Sequence, residues 1–298
     1  MTTTSRPTKH HRGAKAGLAA GLLLLGSAAS AQDDPVARGA YLANAGGCGS
    51  CHSEDGQPEL TGGAGLESPF GTFYAPNITP DPDTGIGGWS EAQFIRAFRE
   101  GVSPDGAHYY PAFPYTAYTG MTDADLKALK AYLDSVPPVK RENRDHELVW
   151  YASFRLPLMV WKARYLEEGP FQPDANLSDE LNRGAYLVRH LGHCAECHTP
   201  RDRLGGLDRT QDFAGNPDGP EDDIVPNITP HAEGLPDWSA DDIAFYLEIG
   251  MEPDGDFVSG SMGEVVENTA KLTGEDREAI GAYIKSLPPL PTAAGADH

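Results

Sequence analysis

Cys48-Gly49-Ser50-Cys51-His52 and Cys194-Ala195-Glu196-Cys197-His198 stand 146 residues apart in a chain of 298. Each is a C-x-x-C-H, the spacing used for covalent c-type haem attachment. Two thiols add across the haem vinyl groups, and the His directly after the second Cys is held beneath the iron. These are the only four cysteines, so none is left for a disulfide, a nucleophile or a separate thiolate ligand. Two other uses of paired thiols fit poorly. A four-thiolate zinc site usually separates its pairs by about 12–20 residues; here roughly 140 intervene. A thioredoxin-like pair belongs at a strand-to-helix turn in a βαβ pattern, and no such pattern is visible. The expectation is two haem c groups on Cys48, Cys51, Cys194 and Cys197, with His52 and His198 as proximal ligands to iron.

The N-terminus reads as an export signal. Arg6, Lys9, Arg12 and Lys15 form a basic region, residues 16–25 are apolar, and Ala29-Ser30-Ala31 offers a small-residue cleavage site. The apolar run is shorter than the roughly 20 residues a membrane span needs. Cleavage after Ala31 would leave 19 basic side chains against 44 acidic ones, a formal charge of −25. Such a surface excludes nucleic acid and anionic lipid as partners and favours steering toward a basic protein surface. Membrane association is then expected only through a partner, and the location is periplasmic.

The remainder is an internal repeat. Arg38-Gly39-Ala40-Tyr41-Leu42 recurs as Arg183-Gly184-Ala185-Tyr186-Leu187, and Pro76-Asn77-Ile78-Thr79-Pro80 as Pro226-Asn227-Ile228-Thr229-Pro230. Trp89-Ser90 returns as Trp238-Ser239, and Pro104-Asp105-Gly106 as Pro253-Asp254-Gly255. A period near 150 means two tandem domains rather than a solenoid of small units. Helix signals repeat in step. An amphipathic helix over 36–45 leads into the first haem turn, and its twin starts near Asp179. Ser90 with Gln93 and Ser239 with Asp242 open helices that stop at Gly101 and Gly250; Thr122 and Thr273 open final helices ended by Pro137-Pro138 and Pro288-Pro289. Gly39 and Gly184 are expected where the first and last helices cross, with Tyr41 and Tyr186 filling the gap against Tyr132 or Tyr283. No sustained strand alternation is present, so the expected fold is all-α with long loops. The expected divisions are a leader over 1–31, domains over 32–138 and 176–290, a connector over 139–175 and a tail over 291–298. The connector carries Trp150, Tyr151, Phe154, Leu158, Met159, Trp161 and Tyr165, interrupted by Arg155, Lys162 and Arg164. It reads as packing between the domains or as a docking surface.

On residues 38–52, 76–89, 110–115, 182–201 and 256–287 the chain resembles the bacterial diheme cytochromes c, built of two class I cytochrome c domains. It looks closest to the cytochrome subunits of dehydrogenases for alcohols, sugar acids and aldehydes. The alcohol dehydrogenase subunits it resembles carry three haem motifs and usually a C-terminal membrane-binding helix; here there are two motifs. The resemblance implies electron transfer, with a dehydrogenase catalytic subunit as donor and an oxidase, quinone or another cytochrome as acceptor.

The resemblance also implies a distal Met in the loop before each last helix, which closes the iron and raises its potential. Met262, in Gly260-Ser261-Met262-Gly263, fits that place in the second domain. In the first, relatives often read Ala-Met-Pro-Tyr where this chain has Ala112-Phe113-Pro114-Tyr115. Met121 is the expected ligand there and His108 its rival. Trp89 and Trp238 are candidates to donate an indole N–H to a haem propionate, or to pack as core aromatics. The competing function is a diheme enzyme, a peroxidase or sulfur-compound oxidase, with one open iron.

Overall fold

The computed structural model describes residues 1–4, 34–219 and 224–294, so the expected leader and its cleavage site lie outside the described residues apart from the first four. The first copy comprises α1 (Pro35–Ala45), α2 (Cys48–His52), α3 (Glu91–Glu100), α4 (Tyr115–Tyr118) and α5 (Asp123–Ser135). The connector contributes α6 (Pro157–Tyr165). The second copy comprises α7 (Asp179–Tyr186), α8 (Ala195–His198), α9 (Ala240–Ile249), α10 (Ser261–Thr269) and α11 (Gly274–Ser286).

Local chemistry explains where these helices begin and end. Ser90 and Ser239 each form a capping box with Gln93 and Asp242, and Gly101 and Gly250 close α3 and α9 in the left-handed conformation. Thr122 and Thr273 accept from the Asp125 and Asp276 backbone N–H groups, which starts α5 and α11. In each copy the first and last helices touch at a glycine. A Cβ on Gly39 would stand 2.0 Å from the Ala128 carbonyl oxygen, and one on Gly184 the same distance from that of Ala279.

The fold is not purely helical. Strands β1 (Gly65–Leu66), β2 (Gly71–Tyr74) and β3 (Glu147–Leu148) form a small antiparallel sheet in the order β1-β2-β3. It ties the long loop after the first haem motif to the connector, pairing too few residues to leave an alternation in the sequence. The second departure follows α7, where Leu187–Leu191 form one turn of π-helix. Tyr41 precedes Cys48 by seven residues, whereas Tyr186 precedes Cys194 by eight. One extra residue in a helix is commonly absorbed as a π-bulge.

The copies share one apolar core. Leu42, Met121 and Leu129 of the first belong to the same buried cluster as Leu187, Leu191 and Ile280 of the second. Tyr41 and Tyr186 each reach from one copy to the other. The Tyr41 hydroxyl donates to Asp276 on α11, and that of Tyr186 to Asp125 on α5. The sequence offers no local sign of these bonds, because the partners lie 235 and 61 residues apart.

Candidate haem centres

Each haem motif is a short helix entered through a left-handed residue. Gly47 has φ 61° before Cys48, and His193 has φ 39° before Cys194. A non-glycine in that region is uncommon, and His193 is held there by contacts to the first copy. Its ring meets Tyr118 edge-on at 5.3 Å, and its Nε2 lies 3.4 Å from the Gly46 carbonyl oxygen. That same carbonyl accepts from the Tyr118 hydroxyl at 3.0 Å. The two motifs are therefore neighbours: Cys51 is close enough to help raise the pKa of Cys197, after burial and Glu196. The first motif also touches the far half through Ser50, whose hydroxyl accepts from Asn268 of α10 at 2.9 Å.

The cysteines are all unbridged. Burial and the neighbouring thiol push Cys48 and Cys194 up to about 12, so both are neutral thiols. Among the described residues no group of three or more His, Cys, Asp or Glu is arranged to hold a metal ion.

The histidines share one geometry. His52 Nδ1 is 2.7 Å from the Pro76 carbonyl oxygen, and His198 Nδ1 is 2.8 Å from that of Pro226. A carbonyl can only accept, so Nδ1 carries the hydrogen and Nε2 keeps its lone pair, the tautomer an iron ligand needs. Burial lowers the pKa of both rings, which favours the neutral form. The repeated Pro-Asn-Ile-Thr-Pro now has a structural purpose. Asn77 Oδ1 accepts from the backbone and hydroxyl of Thr79 while its Nδ2 donates to the Val139 carbonyl. Asn227 does the same with Thr229 and Leu290. Each loop is thus clamped with its first proline carbonyl facing the motif histidine.

The candidate distal residues differ between copies. Met262 is half-buried in the first turn of α10, so the expected loop is in fact a nine-residue helix opened by Gly260 at φ 62°. Met121 is fully buried and directly precedes Thr122, the place that Leu272 holds before Thr273. Phe113 packs among Phe98, Tyr109 and Tyr118, with ring centroids 5.1–5.7 Å away. His108 Nδ1 lies 2.9 Å from the Lys162 ammonium, which also donates to the Gly101 carbonyl. Accepting from Lys162 puts the His108 hydrogen on Nε2, the wrong tautomer for ligation through that atom.

Trp89 and Trp238 are half-buried against the core, and among the described residues no acceptor is found for either indole N–H. Tyr115, not singled out by sequence reasoning as a site residue, is fully buried with a hydroxyl that has no partner among the described residues. A buried polar group left unpaired is costly. Two Nδ1-bonded histidines, each directly following a pair of unbridged thiols, suit a cofactor with iron at its centre that the thiols hold covalently.

The Cytochrome c family matches the chain over residues 36–137 and 182–288. A diheme cytochrome c-type protein of Cereibacter sphaeroides is 46% identical over 261 residues, covering 86% of each chain. The gluconate 2-dehydrogenase cytochrome c subunit of Pantoea cypripedii is 40% identical over 86% of this chain and 60% of its own length. The fructose dehydrogenase cytochrome subunit of Gluconobacter japonicus is 40% identical over 87% of this chain and 54% of its own. The chain therefore spans only about three fifths or less of these dehydrogenase subunits.

Proposed function

The chain belongs to the cytochrome c family, and on that premise we propose that it is a periplasmic carrier taking electrons from a dehydrogenase and passing them to an oxidase, quinone or another cytochrome. Its cofactors are two covalently bound haem c groups, which supply the one-electron chemistry when bound. The observation that carries the reading is the duplicated constellation of two neutral thiols and one Nδ1-bonded histidine, repeated with the same proline carbonyl behind each ring. The cytochrome subunits of gluconate and fructose dehydrogenases among its relatives support a dehydrogenase as donor.

In this reading the units are a cleaved leader over 1–31, class I cytochrome domains over 32–138 and 176–290, a connector over 139–175 and a tail over 291–298. Cys48 and Cys51 hold one haem by thioethers, Cys194 and Cys197 the other. His52 and His198 offer Nε2 to the irons, and the Pro76 and Pro226 carbonyls fix the ring planes and raise ligand basicity. Met262 and Met121 would each offer a sulfur to an iron. Trp89 and Trp238 donate to propionates. Among the described residues no helix is long and apolar enough to cross a membrane.

One observation favours a second reading. Met121 stands where the second copy has Leu272; if its sulfur serves only as core packing, the first iron is open to a small ligand and an enzyme such as a peroxidase follows. Replacing each Met separately by Ala decides between them. Loss of about half the sulfur-to-iron charge-transfer absorbance in each variant supports the closed carrier. An unchanged Met121→Ala spectrum, with peroxide turnover by the isolated protein, establishes the enzyme.

A further inference from the structure

Six large apolar side chains stand exposed within eleven residues of the connector. Their exposures are 77% for Trp150, 53% for Tyr151, 62% for Phe154, 76% for Leu156, 52% for Met159 and 75% for Val160. Helix α6 is built inside out. Lys162 is its buried residue, donating to the Gly101 carbonyl at the end of α3. Trp161, on the same side, donates its indole N–H to the Leu204 carbonyl of the second copy at 2.9 Å. With that face anchored to both copies, Leu156, Met159 and Val160 are turned outward by helical periodicity. A helix that buries its lysine and exposes its aliphatic residues has its outer face shaped for something else.

The patch also differs in sign from the rest of the protein. The chain has 44 acidic and 23 basic residues, yet residues 149–165 hold no carboxylate and, beside the inward Lys162, carry the exposed Arg155 and Arg164. Aromatic and Met side chains beside arginine are the composition of a protein–protein interface core. A lipid surface fits less well, because the acidic remainder would be repelled by anionic headgroups. The patch is bound to the first haem domain as well. The Tyr110 hydroxyl donates to the Ala152 carbonyl, and Arg155 donates to the His108 carbonyl with its guanidinium 4.4 Å over the Tyr110 ring.

We propose that this face, centred on Trp150, Phe154 and Val160, is the docking surface for the catalytic subunit of the electron-donating dehydrogenase, which meets it with an apolar area rimmed by carboxylates. The proposal rests on the carrier function above.

The test uses the full haem-loaded chain in its own cells. Trp150→p-benzoylphenylalanine, Phe154→p-benzoylphenylalanine and Val160→p-benzoylphenylalanine are irradiated, with Phe245 and Glu275 as control positions, and the captured species is identified by mass. A dehydrogenase catalytic subunit captured at the patch and not at the controls is expected. That dehydrogenase, purified with its substrate, should reduce a Trp150→Asp, Phe154→Asp double variant about tenfold or more slowly than wild type. Reduction by ascorbate and the haem spectrum should not change. Crosslinks to lipid, to a second copy of this chain or only at the controls overturn the docking surface while leaving the function standing, as do equal reduction rates. A wild-type chain that no dehydrogenase of those cells reduces overturns the functional reading and the docking proposal with it.

Discussion

Tyr41 on the first helix of one copy donates to Asp276 on the last helix of the other at 2.5 Å, and Tyr186 returns the bond to Asp125 at the same distance. Each aspartate is already held by an arginine of its own copy: Arg38 Nε reaches Asp125 and Arg183 Nε reaches Asp276, both at 2.7 Å. Each tyrosine oxygen in turn accepts from the N-cap backbone of the opposite last helix, Thr273 or Thr122, at 3.3 Å. The pattern is a pseudo-two-fold lock. It joins the two helix crossings, adding to the shared core and the His193 contacts that hold the copies together.

Breaking one side of the lock leaves a buried carboxylate short of a donor. Hydrogen bonds to charged groups contribute about 1.5–3 kcal/mol. Tyr186→Phe is expected to lose an amount in that range, since Tyr186 is buried. Tyr41→Phe, at a half-buried tyrosine, should lose less. Urea denaturation of the haem-loaded protein measures both; equal stability of Tyr186→Phe and wild type would contradict the lock.

The lock also carries a pH dependence. Burial alone would raise the Asp276 pKa, but the hydrogen bonds from Arg183 and Tyr41 outweigh it and hold the group below the ordinary 3.8. A carboxylate depressed in the folded state contributes stability that is complete above the ordinary value and lost as pH falls from there through the depressed one. Wild type should therefore lose thermal stability more steeply below about pH 4 than Asp276→Asn does. The difference between the two melting curves should be flat at neutral pH.

The helix crossings set a sign test of their own. Gly→Ala inside a helix ordinarily stabilises by about 1 kcal/mol. At Gly39 the added Cβ would strike the Ala128 carbonyl oxygen and lie 2.5 Å from the Tyr132 Cβ, and at Gly184 it would meet Ala279 and Tyr283 in the same way. Gly39→Ala and Gly184→Ala are thus expected to destabilise by about 1–3 kcal/mol. A stabilised variant in a thermal melt would show that the crossings are looser than described.

What the sequence made legible was local. Thr122, Ser90 and their twins announce helix starts because a cap needs only its own next three residues. Gly39 and Gly184 could be recognised because a repeated glycine in a repeated helix points to close approach. The haem motifs were legible for the same reason, since both thiols and the histidine lie within one turn. The Tyr–Asp lock, the His193 contact to Gly46 and the inward Lys162 join segments distant in the chain, and nothing near those residues hints at the partner. The π-turn lies between these cases: the extra residue before Cys194 is visible in the spacing, but only packing decides how the helix absorbs it.

Salt should separate the two ends of electron transfer. If the donor sits on the apolar connector, its contact is dominated by burial of Trp150, Phe154 and their neighbours, which ionic strength does not screen. Transfer onward involves the acidic remainder of a chain whose formal charge is −21. A basic acceptor would be steered toward it, and the Debye length shrinks from about 30 Å at 0.01 M salt to about 10 Å at 0.1 M. Stopped-flow measurements with a basic soluble c-type cytochrome as acceptor should therefore show oxidation of the reduced protein slowing steeply over that range. Reduction by the dehydrogenase, where the charge pairing is confined to a rim around the apolar contact, should change less over the same range. The opposite pattern, with salt-sensitive reduction and salt-insensitive oxidation, would assign the acidic surface to the donor and remove the connector from its path.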